Sequence, residues 1–205
     1  MTLSQQFAVS KFELTFDEWD TCADYGDCPR GISDMGWGRG QLPAADVNWE
    51  DAQRYIAWIS KMTGKRYRLL TEAEYEYAAR AGTASVYPWG DDLGTNKANC
   101  NNCGSRWDNT QDGPVGSFDP NGFGLYDMVG NVFEWGQDCY HPAYGDAPSD
   151  GSEWTAECPD PDLRVIRGGG KNSFPRFIRS ASRRGAPSSA RRASLGFRIA
   201  RTLSP

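Results

Sequence analysis

No acidic residue follows Asp162, no cysteine follows Cys158, and a single histidine, His141, serves the whole 205-residue chain. One histidine cannot supply the nitrogen ligands of a multi-histidine metal centre. No stretch approaches the roughly 18 apolar residues of a membrane-spanning helix, so no membrane span is expected in this chain. No signal-peptide hydrophobic region follows Met1, and Phe7-Ala8-Val9-Ser10 is already patterned as a strand. That opening gives the expectation that the chain is the later part of a longer protein. Long uninterrupted periodic segments are also scarce. The 23 glycines and 12 prolines argue against a helical bundle or a doubly wound sheet and for a loop-rich fold with short strands. Aromatics are abundant: 8 Trp, 9 Tyr and 9 Phe supply large core side chains although the hydrophobic fraction is only 39%. The length suits one domain over residues 1–205, at roughly 150 residues per domain.

The missing acids make the charge distribution steep. Residues 1–162 hold all 27 Asp and Glu against 11 Lys and Arg, a balance of −16, whereas residues 163–205 hold ten arginines and Lys171, a balance of +11. A basic C-terminal region suits a polyanion binder. The alternative is that these arginines pair with the acidic body of the same fold, which their interleaving with strand residues favours. Nucleic acid is therefore not the expected partner.

Cys22, Cys28, Cys100, Cys103, Cys139 and Cys158 fall into three local pairs, 22–28, 100–103 and 139–158, although six cysteines admit 15 connectivities. Disulfides are one reading, and they would imply an extracellular or cell-surface setting. Structural zinc is a second, but only Cys100-Asn101-Asn102-Cys103 has the spacing and His141 is the one further candidate ligand of that kind. Reduced or mixed thiols are the third.

Three helices are announced by their caps. Thr15-Phe16-Asp17-Glu18 is a capping box, with Phe16, Trp19 and Ala23 on one face behind it. Asn48 caps a second helix carrying Ala52, Tyr55, Ile56 and Ile59 at i, i+3, i+4, i+7, and Gly64 stops it. Thr71-Glu72-Ala73-Glu74 opens a third, expected to end at Gly82. Short strands are expected at 66–70, 164–167 and 196–201, where Phe197 and Ile199 alternate with Arg198. No internal repeat is visible. Between 82 and 164 the text is mostly turn chemistry, such as Asp91-Asp92, Asn121-Gly122 and Pro148-Ser149-Asp150-Gly151.

Several stretches carry a resemblance. They are Arg68-Leu69-Leu70-Thr71-Glu72-Ala73-Glu74-Tyr75-Glu76-Tyr77-Ala78-Ala79-Arg80, then Tyr87-Pro88-Trp89-Gly90, then residues 121–135 with Gly124-Leu125-Tyr126-Asp127-Met128-Val129-Gly130-Asn131-Val132-Phe133-Glu134-Trp135. Arg164-Val165-Ile166-Arg167-Gly168-Gly169 and Leu195-Gly196-Phe197-Arg198 close the series. In this order they resemble the formylglycine-generating-enzyme (sulfatase-modifying factor) superfamily over nearly the whole chain. The family's usual opening strand is absent. The resemblance implies an α+β, C-type-lectin-like domain with two or three helices, short antiparallel strands and long ordered loops. In such a domain Trp89, Trp135 and Tyr126 would be core aromatics, and the motifs identify a fold more than a reaction.

The family's namesake oxidises a substrate cysteine with copper held by two cysteines between the R-G-G and G-F-R motifs. Here residues 168–182 hold none, and the histidine cluster of related iron enzymes has only His141 to match it. No copper or iron is expected, which leaves a formylglycine-generating oxidoreductase acting on protein cysteine as an alternative and not the leading reading. The pattern is closer to the variable proteins of diversity-generating retroelements, whose rewritten region lies between these two motifs. That resemblance makes residues 164–201 a variable ligand-binding region.

Within it Pro175, Arg179, Ser180, Ala181, Arg183, Pro187 and Arg191 form a fixed-looking skeleton. The candidate ligand-binding positions are Lys171, Asn172, Ser173, Phe174, Arg176, Phe177, Ser182, Arg184, Gly185, Ala186, Ser189, Arg192, Ala193 and Ser194. Ser, Gly, Ala, Arg and Phe are reachable from an asparagine codon by adenine changes, whereas Lys171 is not; an ordinary diverged loop is the other reading. Arginine and phenylalanine on a rigid backbone make good hot spots, so a protein or other macromolecular ligand is expected through residues 170–194. The resemblance also implies structural Ca²⁺ at Asp127, Gly130, Val132 and Glu134, and at Asn99 and Cys100 with Asp108 less securely placed. The alternative for Glu134 is a buried carboxylate bonded to backbone amides or arginine.

Overall fold

A computed structural model describes residues 2–203; Met1, Ser204 and Pro205, at the ends of the expected domain, lie outside the described residues. Three helices form where their caps stand. Thr15 opens α1 (Phe16–Tyr25): its hydroxyl accepts the Glu18 N–H while the Glu18 carboxylate accepts the Thr15 N–H. Asn48 with Asp51 does the same for α2 (Trp49–Thr63), and Thr71 with Glu74 for α3 (Glu72–Arg80). Each pair satisfies two N–H groups that a helix start leaves free. Gly26 and Gly64 end α1 and α2 in the left-handed conformation. Helix α3 stops a residue earlier than expected, at Ala81, whose φ is itself +46° and whose N–H donates to the Tyr77 carbonyl.

Two small sheets complete the α+β fold. Strand β1 (Phe7–Val9), β2 (Tyr67–Arg68) and β7 (Ala200–Thr202) form one antiparallel sheet in the order β1-β7-β2. Strands β3 (Phe133–Cys139), β4 (Leu163–Arg167), β5 (Arg183–Pro187) and β6 (Leu195–Gly196) form the other, ordered β5-β4-β3-β6, antiparallel except for the β3–β6 pair. The strand expected over 196–201 is split between the two sheets. Phe197 and Arg198 cross from one to the other, both buried, because Arg198 turns inward instead of alternating outward. The strand expected over 66–70 contracts to Tyr67–Arg68. Strands β3 and β5 had no period-two signal: β3 is buried at five of seven positions, and β5 is Arg-Arg-Gly-Ala-Pro, held by five registered partners in β4.

The core lies where α1 and α2 pack on the sheets. Trp19 and Tyr55 both set ring edges against Phe197, at 6.4 and 5.7 Å between centroids, and the Trp135 indole N–H donates to the Val47 carbonyl. The long segment between α3 and β3 has neither helix nor strand, and side-chain bonds order it. Asn121 donates to the Ala78 carbonyl, and Asn131 donates to Glu13 and the Gly113 carbonyl. Among the described residues no helix is long and apolar enough to cross a membrane.

Candidate ligand-binding face

Much of the basic C-terminal region turns inward. Arg198 lays its guanidinium on the buried Glu134, with Nε–Oε2 at 2.7 Å and Nη2–Oε1 at 2.9 Å, and also donates to the Tyr126 carbonyl. The Tyr75 hydroxyl donates to Glu134 at 3.0 Å. Glu13, buried nearby, accepts from the Val132 N–H and the Asn131 amide. Burial pushes Glu13 well above the usual carboxylate range, and Asp127 and Glu134 add repulsion. Burial disfavours the charge of Arg198, but Glu134 outweighs it and holds the guanidinium above its ordinary value. Arg198 is thus the direct partner of Glu134, and its charge also opposes the upward shift of Glu13 and Asp127.

The other inward cations pin the interval that follows β4. Arg167 bridges Glu76 at 2.7 Å and donates to the carbonyls of Ser180 and Ser182. Arg183 forks onto Glu72 at 2.5 and 2.7 Å, with its guanidinium over the rings of Tyr140 and Tyr144. Lys171 donates to Asp112 and to the Ala193 carbonyl, both at 2.7 Å, beneath the Trp37 ring. Arg191 reaches Asp51. Internal pairing therefore accounts for much of the charge split.

Residues of the expected binding set separate accordingly. Lys171, Ser173, Ala186 and Ser194 are buried, so they are part of the scaffold and not of a displayed surface. Gly185 presses on Tyr140, where a Cβ would come within 2.8 Å of the ring. Phe174, Arg176, Phe177 and Arg184 come together: the Arg176 guanidinium lies 4.6 Å from the Phe177 centroid and 5.7 Å from Phe174, and Arg184 lies 4.3 Å from Phe177. Among the described residues neither arginine has a carboxylate partner. A 3₁₀ turn at Pro175–Phe177 carries Arg176 and Phe177 with Phe174 at its start, Arg184 stands on β5, and the buried Ile178 follows the turn. Gly169, at φ +78°, lets the chain pass: a Cβ there would sit 2.7 Å from Ile178 and 3.0 Å from the Phe177 carbonyl. The Ser182 hydroxyl donates to the Arg176 carbonyl. Asn172 is exposed, whereas Ala193 is half-buried and its carbonyl holds Lys171. Ser189 and Arg192 are exposed in the segment near the start of α2, where the neighbouring Ser188 carbonyl accepts from Trp49 and the Arg192 carbonyl from Asp46.

Most of the side chains expected at the calcium positions already have partners in the fold. Both oxygens of Glu134 face a fixed guanidinium, and Asp127 accepts the Gly116 N–H at 2.7 Å; at Gly130 and Val132 the expected ligands are backbone carbonyls. The Asn99 side-chain oxygen accepts the Ser105 hydroxyl and its carbonyl accepts the Asn131 N–H. The Cys100 sulfur is bonded to Cys103. Asp108 accepts the Gly104 N–H through one oxygen and leaves the other unpartnered. Among the described residues no group of three or more His, Cys, Asp or Glu is arranged for a metal ion. The side chains in this arrangement do not fit calcium at Glu134 and no chemistry is derived through it. The zinc reading of Cys100 and Cys103 also gives way, since the cysteines pair as 22–28, 100–103 and 139–158 with Cα–Cα distances of 5.4, 5.2 and 5.7 Å. These pairs are compatible with an oxidising compartment.

Sequence reading missed the partners: Glu13, Trp37 and Asp112 stand in no motif. The excess of +11 in a short strand-rich tail was the one signal that buried acids had to meet it. Those acids titrate unusually. Burial raises Asp112, Asp127 and Asp138 to about 6, above the ordinary 3.8. Between those values the folded chain binds more protons than the unfolded one, so this contribution to stability is present below 3.8 and lost as pH rises through 6. Thermal scans at fixed ionic strength are expected to show a higher Tm at pH 5.5 than at pH 7.5; a lower one would contradict the burial of these groups.

The pattern that describes the Sulfatase-modifying factor enzyme 1-like domain matches residues 1–203. The formylglycine-generating enzyme of Streptomyces coelicolor is 36% identical over 193 residues, covering 84% of this chain and 56% of that protein, so the chain spans little more than half of that relative. The solved structure of PvdO from Pseudomonas aeruginosa superposes with a TM-score of 0.87 at 40% identity, covering 99% of this chain and 83% of that one. Treponema denticola variable protein 1 superposes at 0.74 with 22% identity, covering 96% and 84%, a likeness of fold.

Proposed function

The chain belongs to the family of Sulfatase-modifying factor enzyme 1-like domains, and from that premise we propose that it is a non-catalytic, ligand-binding member whose face is built on Phe174, Arg176, Phe177 and Arg184. The observation that carries this reading is the pairing pattern of the tail. Arg167, Lys171, Arg183, Arg191 and Arg198 meet carboxylates of the same chain, while Arg176 and Arg184 are set apart from the other tail arginines that lack a described carboxylate partner by lying together over phenylalanine rings. Arginine and aromatic side chains on a pinned backbone bury area and pair with a partner's carboxylates at little entropic cost. No described cysteine is free, which removes the thiolates that copper-dependent cysteine oxidation needs. The disulfides favour an extracellular or cell-surface setting.

The finer reading is that residues 164–201 are a variable region of the retroelement type. Substitutions between sibling genes should then fall on exposed Asn172, Phe174, Arg176 and Arg184 and spare buried Lys171, Ala186 and Ser194. An invariant interval sinks the diversified version. A second reading, an oxidoreductase acting on protein cysteine, is favoured by the identity to the Streptomyces enzyme. Incubation with a Cys-x-Pro-x-Arg peptide and copper, followed by mass spectrometry for the aldehyde, is expected to leave the peptide unchanged; conversion would replace the binding reading. Binding to heparin that weakens with salt would instead support a polyanion binder.

A further inference from the structure

Three of the large apolar side chains exposed by the described residues are Tyr77 (50% exposed), Phe123 (48%) and Tyr144 (49%). The Tyr77 ring packs on Phe7 and Phe123, with centroids 6.3 and 5.4 Å away. Beside it, α3 and the loop of residues 144–154 flank an open groove of about 510 Å³, walled by Tyr77, Tyr144, Trp154, Ala73, Ala147 and Pro148. His141 lies flat on Trp154 at 3.6 Å between centroids and braces that wall. The Cys139–Cys158 disulfide and the Trp154 N–H on Asp138 already hold the loop. That attachment does not require tyrosine rings left half in water, and clustered apolar exposure of this kind marks an interaction site.

The polar groups around the groove say what the occupant is not. Glu72 is forked by Arg183 and takes the Tyr144 hydroxyl at 2.8 Å. Glu76 is shared by Arg80 and Arg167, and Asp138 accepts the N–H groups of Glu72 and Trp154. The acids are matched inside the protein, so an ionic ligand would lose its water and find no unpaired charge in return. The volume falls in the range of small-molecule sites, roughly 300–1,000 Å³. Two tyrosines and a tryptophan favour ring-on-ring packing over contact with a flexible chain. We propose that the groove between α3 and residues 144–154 binds a small, uncharged, planar aromatic molecule. The proposal does not depend on the function of the arginine patch.

The whole chain is titrated with 2-naphthol and with its saturated counterpart, decahydro-2-naphthol. The readout is the indole N–H signal of Trp154, identified by its loss in Trp154→Phe. The naphthol is expected to move that signal and to bind at least tenfold more tightly than the saturated alcohol. Ala147→Trp, which fills the groove, should weaken naphthol binding at least tenfold while Tm is kept. Should that variant misfold, Tyr77→Ala at an exposed ring supplies the same reading. Phe174→Ser with Arg176→Ser should leave binding unchanged. Equal affinity for both alcohols, an unmoved Trp154 signal, or a proline-rich peptide that binds the groove more tightly than the naphthol would overturn the assignment.

Discussion

Arg198→Met is expected to unfold this protein more effectively than any change on its surface. The substitution keeps much of the side-chain volume and removes the cation paired with Glu134, whose charge also favours the ionised forms of Glu13 and Asp127. Stripping one partner from a buried ion pair costs about 3–5 kcal/mol, because the remaining charge stays out of water without compensation. Domain stabilities are about 5–15 kcal/mol, so one such loss removes a large share of the total. The Tyr126 carbonyl also loses a donor. Urea unfolding of wild type and variant should give this difference at pH 7.5. The diagnostic result is the double variant: Arg198→Met with Glu134→Gln removes the stranded charge, keeps an acceptor for the Tyr75 hydroxyl, and should recover part of the loss. A single-variant loss below about 1 kcal/mol would mean that the guanidinium is dispensable and that the buried carboxylates are already neutral.

The parts of this molecule legible in its sequence are those specified by neighbours in the chain. A capping box needs residues three apart, so Thr15, Asn48 and Thr71 announced α1, α2 and α3. Local cysteine spacing likewise anticipated all three disulfides. Strands β3 and β5 were hidden because their partners, not their side-chain alternation, make them strands; Arg183–Pro187 would be a poor strand without β4 beside it. The site divided in the same way. Phe174, Arg176 and Phe177 stand at a 3₁₀ turn made by neighbours in the chain, whereas Arg184 joins them from β5. Lys171 was not legible as a buried residue, since its partner Asp112 stands 59 residues earlier and its cover, Trp37, earlier still. A lysine in a stretch rich in arginine and serine looks like surface until the acid it meets is known.

That misreading gives the second large expected effect. Lys171→Met should destabilise the chain by about 3–5 kcal/mol at pH 7.5, because Asp112 is buried and loses its ion-pair partner. The Ala193 carbonyl loses its donor as well, which loosens the far end of the interval. The deficit should depend on pH in a definite direction. Burial already raises Asp112 to about 6 with Lys171 opposing the shift, so removing the lysine raises it further. Acidification to pH 5 then lets Asp112 take a proton and discard its uncompensated charge, and the gap to wild type should narrow as pH falls. Phe174→Ser and Arg184→Ser, in the same interval but exposed, should each stay within about 0.5 kcal/mol at both pH values. Denaturant midpoints for the three variants at pH 7.5 and 5 decide the matter. Equal losses for Lys171→Met and Arg184→Ser would dissolve the division between scaffold and face, and with it the reason for placing ligand binding at Phe174, Arg176, Phe177 and Arg184. A large, pH-sensitive loss confined to Lys171 would show that this stretch holds its own backbone by one buried pair and leaves its outer side chains free to meet a partner.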